Sequence, residues 1–135
     1  MLRIILLLLV TGLVRAASPV YNSENYISDN NISYIRSIFY RQINAWETGI
    51  PVTLVLLPSD DPTTKEFMAS LGIMPYSYFD RMKAKMDAGD NRIIMVYKKK
   101  DVIDRVSKNV GAIGYLDQDT IVFNTNNIVK ELKLK

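Results

Sequence analysis

Val52-Thr53-Leu54-Val55-Leu56-Leu57-Pro58-Ser59-Asp60-Asp61-Pro62-Thr63-Thr64-Lys65-Glu66-Phe67 reads as a buried strand, a sharp polar turn and the first turn of a helix. Val52 to Leu57 is an unbroken apolar run, rich in β-branched residues, as expected of a strand covered on both faces. Asp61 stands where an N-cap belongs, and Pro62 occupies the first helical position, where its missing N–H costs nothing. Phe67, Met68 and Leu71 supply the helix's apolar face, and Gly72 closes it. A strand running into a helix N-terminus is a ready anion cradle, because free backbone N–H groups and the helix dipole point at the turn. Ser59, Asp61, Thr63 and Thr64 are therefore the candidate ligand-binding residues. The competing reading makes Asp61 a plain N-cap and Ser59 a turn residue.

Upstream, Met1-Leu2-Arg3 and the apolar Ile4–Val14 have the layout of a signal peptide. Small residues at Val14 and Ala16 predict cleavage after Ala16, leaving 17–135 as a single domain. Arg15 interrupts the apolar run well short of the roughly 20 residues a membrane span needs, so a retained anchor is the weaker alternative. The expected location is the periplasm, with secretion as the alternative. The chain has no cysteine, hence no disulfide framework and no lipidated thiol. Of the 17 basic residues, Arg3 and Arg15 lie in the leader, so the remaining balance against 14 acids is close to neutral. That argues against a nucleic-acid partner, which needs a concentrated basic face.

Catalysis finds little support. The chain has no histidine and no cysteine, and no serine is flanked by glycines as a nucleophile elbow requires. The close acidic pairs, Asp60-Asp61 and Asp117/Asp119, sit where turn and cap residues are common, and Asp117-x-Asp119 lacks the remaining ligands of a calcium loop. No enzyme activity, cofactor or metal site is expected.

Along the rest of the chain, Ala17–Tyr21 is a candidate strand, which Pro19 would place at an edge or at a strand start. Ile32, Ile35, Ile38 and Phe39 predict a helix over about 31–40, and Trp46 follows as a packing anchor. After Pro75, the face formed by Tyr78, Phe79, Met82 and Met86 predicts a helix ending at Gly89. Arg92–Tyr97 is a second strand, Lys98–Lys100 a solvated turn, and Val102, Ile103 and Val106 mark a short helix ending near Asn109. Ala112–Leu116 and Thr120–Phe123 read as two strands joined by an Asp117-Gln118-Asp119 turn, with 125–135 a closing helix or a frayed tail. Helices alternating with short apolar strands indicate an α/β layer fold.

Val110-Gly111-Ala112-Ile113-Gly114-Tyr115-Leu116, directly after a short helix, resembles the GAIGY strand of periplasmic phosphate-binding proteins, the substrate-binding subunits of phosphate ABC transporters. Three further pieces follow that family's order. They are Ile35–Tyr40 with Trp46 six residues on, the strand and turn of Pro51–Phe67, and the Phe67–Leu71 helix. The resemblance spans about residues 30–124 and implies one lobe, the second, of the type II periplasmic-binding fold, a central mixed sheet flanked by helices. It also implies an inorganic phosphate or similar anion as ligand, and a membrane transporter or sensor component as partner. In that family the turn carries an arginine and then Ser-Gly-Thr at the helix start. Here Leu57 fills the arginine slot and Asp61-Pro62-Thr63 the other three. Pro62 removes a backbone donor, Asp61 puts a negative charge where phosphate would sit, and Leu57 forfeits a bidentate contact. Two functions follow from these residues. One is a solute-binding protein with weak phosphate binding at turn 57–64; the other is an interaction module that meets a membrane protein or a second copy through its former cleft face.

Overall fold

The computed structural model describes residues 16–135. The expected leader, residues 1–16, lies outside these apart from Ala16. The elements in chain order are β1 (Ala17–Asn22), α1 (Ile32–Phe39), β2 (Thr53–Leu56), α2 (Pro62–Ser70), α3 (Pro75–Asp87), β3 (Ile93–Met95), α4 (Lys99–Lys108), β4 (Ala112–Asp117), α5 (Gln118–Phe123) and β5 (Val129–Glu131). They form a five-stranded mixed sheet of order β3-β2-β4-β1-β5. β2 runs parallel to β3 and β4, and β1 runs antiparallel to both β4 and β5. The α/β architecture with a mixed central sheet is as the sequence predicts.

All four residues of β2 are buried, which is what a central strand with helices on both faces requires. Side chains alternate across β4, and its neighbours identify the two layers. Tyr115 points into the layer of α1 and α2, where Phe67 stacks on its ring at 4.5 Å and Phe39 meets Phe67 edge-on at 5.0 Å. Gly114 points the other way, at Val102 of α4. A Cβ on Gly114 would lie 2.9 Å from Val102 Cγ1 and 3.1 Å from the Val55 carbonyl, so α4 rests on the sheet only because that side chain is missing. The buried Asn22 closes the same layer by donating its amide to the Val106 carbonyl at 2.9 Å, at the C-terminal end of α4.

The structure corrects four expectations. Thr120–Phe123 is the body of α5 and forms no strand, because Asp117 accepts from the Thr120 N–H (3.3 Å) and Oγ1 (2.6 Å) and so caps a helix instead of turning a hairpin. The edge of β4 that such a strand would use is taken by β1. The tail is neither helix nor frayed, for Val129–Glu131 forms β5. Nor is β1 at an edge. It lies between β4 and β5, and Pro19 is tolerated because its missing donor faces Leu132, just beyond the end of β5, whose N–H still reaches the Pro19 carbonyl at 2.9 Å. Lys98–Lys100 also differs from the expected solvated turn. Lys99 opens α4, and its ammonium reaches Asp117 at 2.9 Å.

Candidate functional site

The carboxyl ends of β2, β3 and β4 lie together at one edge of the sheet, and the turn Leu57–Asp61 leaves β2 there to enter α2. Asp61 is an extended N-cap (φ −65°, ψ 130°) whose carboxylate accepts the Thr63 N–H at 2.8 Å, with Pro62 in the first turn. The free donor an incoming anion would use is thus met by the chain's own carboxylate, which also complements the helix dipole. Ser59 is exposed, Asp61 partly so and Thr63 buried.

Thr64 is fully buried and turned inward, away from any ligand. Its Oγ1 lies 2.8 Å from the Tyr115 hydroxyl and 3.4 Å from the Leu57 carbonyl. The Leu57 N–H donates to the same phenol oxygen at 3.1 Å, and the phenol reaches the Leu57 carbonyl at 3.2 Å. Burial pushes the Tyr115 phenol well above the ordinary tyrosine range, against the pull of its hydrogen bonds to Thr64 and Leu57, so it stays protonated. Tyr115 therefore ties the last residue of the β2 run to the first turn of α2. Of the four candidate residues, Ser59, Asp61 and Thr63 share the turn, while the Thr64 hydroxyl belongs to the core.

Tyr115 is the residue the sequence reading missed as part of this turn. Its signal was available, because period-2 alternation in β4 puts Ile113 and Tyr115 on the opposite face from Gly114. A second feature of this sheet edge is Asp117. Burial raises its carboxyl, but hydrogen bonds from Thr120 and then Lys99, with the Lys99 charge, outweigh that and hold it below the usual aspartate range. Lys99–Asp117 thus joins the start of α4 to the end of β4, at the end of the sheet from which the turn also leaves.

Two solved structures have this fold. A phosphate ABC-type transport receptor from Vibrio cholerae superposes with a TM-score of 0.66 at 14% identity, over 88% of this chain and 46% of the receptor. A protein from Clostridium perfringens, assigned as a phosphate ABC transporter substrate-binding protein and solved with bound phosphate, gives 0.68 at 15% identity, over 88% of this chain and 44% of its own. This chain therefore spans less than half the length of either. No protein-family model and no curated protein sequence matches it. Among the described residues, no helix is long and apolar enough to cross a membrane. The chain has the fold of a single lobe of the phosphate-transport substrate-binding proteins.

Proposed function

We propose that the protein is an exported, periplasmic, non-enzymatic module of the phosphate-receptor fold, and that it acts through protein contact instead of scavenging phosphate. One observation carries this reading: the Asp61 carboxylate occupies the N-terminus of α2, 2.8 Å from the Thr63 N–H. A phosphate would have to displace that carboxylate and then share the site with its charge. The inward-turned Thr64 hydroxyl and the leucine at position 57 remove two further contacts. Partners of the right kind are a membrane transporter component, a membrane sensor or a second copy of the chain.

A second reading keeps weak phosphate binding at Ser59 and Thr63. The fold favours it, since one structural neighbour is a phosphate transport receptor and the other was solved with phosphate bound.

Calorimetric titration of the exported, processed protein with phosphate at low ionic strength separates the two. The expected result is no saturable heat up to about millimolar phosphate, the range in which an open, wet half-site would begin to fill. Asp61→Asn keeps the cap while removing the charge. Weak phosphate heat appearing only in that variant would identify Asp61 as the excluding group. Micromolar binding by the wild-type protein would overturn the protein-contact reading.

A further inference from the structure

Away from the Leu57–Asp61 turn, the segment just after α1 and one face of α3 enclose an open groove of about 500 Å³, lined by Tyr40, Arg41, Gln42, Arg81, Ala84, Lys85 and Ala88. Arg81, Ala84 and Lys85 of α3 and its C-cap Ala88 recur at the spacing of one helical face. The acids of that helix are sorted away from it, for Asp80 and Asp87 line a separate cavity with Phe79 and Met82. Arg81 lies in mid-helix, so complementing the negative end of the helix dipole does not account for it.

The opposite wall is rigidly built. Arg41 has a left-handed backbone (φ 61°), a conformation that costs energy in any residue but glycine. Three contacts hold it there. Its Nε and Nη2 donate to the Asp90 carboxylate at 3.1 and 3.2 Å, and its Nη1 donates to the Val52 carbonyl at 3.0 Å. Only 7% of the side chain is exposed, so the guanidinium is spent and locally neutralised. Arg81 instead stacks over the Tyr40 ring at 5.3 Å, and Tyr40 meets the buried Tyr78 edge-on. Among the described residues neither Arg81 nor Lys85 has a carboxylate within ion-pair distance. The groove thus offers two unpaired cations beside an aromatic wall and a floor made of two alanines.

We propose that this groove docks an acidic segment of a partner protein. A partner carboxylate is taken by Arg81 and Lys85, and the segment's apolar atoms pack on Tyr40, Ala84 and Ala88. Two half-wet cations hold a small free anion poorly, because exposed ion pairs are weak and screened by salt. An extended segment adds apolar contact that an ion lacks, which favours the peptide. The inference rests on the protein-contact reading above, but its test leaves Asp61 and the turn untouched.

The probe is a fluorescein-labelled peptide of alternating glutamate and alanine, followed by anisotropy at low salt against the exported protein. Wild type is expected to bind saturably, and R81E/K85E to weaken binding by about tenfold or more, as expected for reversal of two contact charges. The milder R81Q/K85Q keeps the result readable if charge reversal disturbs folding, with a loss of several-fold. K98E/K100E changes charge equally at the start of α4, outside the groove, and should alter binding less than about twofold if docking is local. Absence of saturable binding by wild type, or equal loss in the K98E/K100E control, would overturn the proposal. So would displacement of the peptide by about millimolar phosphate, which would make the groove a general anion site. Phosphate heat at the Asp61 turn fails or succeeds separately, so the two readings are distinguishable.

Discussion

The hydroxyl of Tyr115 and Oγ1 of Thr64 lie 2.8 Å apart in a fully buried pocket, joining the end of β2 to the start of α2 through the Leu57 peptide. The pair makes a hydroxyl that could face solvent into a structural fixture. Tyr115→Phe would leave the Leu57 N–H and the Thr64 hydroxyl short of a buried partner, at about 1–3 kcal/mol. Urea denaturation should show a lower midpoint with an unchanged slope. Thr64→Val in the Tyr115→Phe background should cost less than in wild type, because the two hydroxyls act as one network.

At the helix start, Asp61→Ala removes the acceptor of the Thr63 N–H and should destabilise by about 1 kcal/mol, whereas Asp61→Asn should stay within a few tenths. Equal losses in the two variants would show that the carboxylate's charge, and not its capping geometry, is what holds the turn.

The depressed Asp117 carboxyl makes a pH prediction. Its folded-state pKa lies below the unfolded value, so its stabilisation is present above that value and is lost as pH falls through the folded one. Wild type and Asp117→Asn should therefore differ most near neutrality and converge below about pH 4. Lys99→Ala should cost under about 1 kcal/mol, because the lysine is substantially exposed and its charge is screened. Chemical denaturation repeated across pH would measure both.

Gly114→Ala places a methyl 2.9 Å from Val102 Cγ1 and should cost about 1–3 kcal/mol as α4 is pushed off the sheet. Gly111→Ala should be worse, since the added carbon meets the backbone carbonyl of Pro51, which cannot swing aside as a side chain can. Thermal melts of the two variants would rank them.

Trp46, the only tryptophan, is 2% exposed and donates its indole N–H to the Gly111 carbonyl at 2.9 Å. Its emission should be that of a buried indole and shift to longer wavelength on unfolding. Trp46→Phe should lower stability by about 0.5–1.5 kcal/mol for the lost hydrogen bond, because the Gly111 carbonyl still accepts the Thr53 N–H at 3.0 Å. A wild-type spectrum that did not move on unfolding would contradict this packing.

The legible parts of the fold were those written in local chemistry. The Val52–Leu57 run, the Asp61-Pro62 helix start and the Tyr78/Met82 face all signal through their own neighbours in sequence, and all stand as expected. The errors fell where a distant strand decides the outcome. Ile121, Val122 and Phe123 are β-formers, but Asp117 caps them into a helix and β1 already holds the β4 edge on which they would pair. Val129–Glu131 shows no strand pattern of its own and is extended because β1 offers a free edge there. The same holds for the turn, where the placement of Asp61 was readable but the inward rotation of Thr64 was not. That rotation depends on a tyrosine fifty-one residues away.

The pairing of Ala17 with Asp117 also sets a clock on the chain's assembly. β1 leaves the ribosome long before the residues of β4, and until they follow it has no partner on that side. Contacts of such wide sequence separation form slowly, because the loop must close before any pairing energy is gained. A chain whose sheet cannot be completed early remains threadable for longer, which would suit the export we propose. The same delay leaves β1 available for mispairing with other chains.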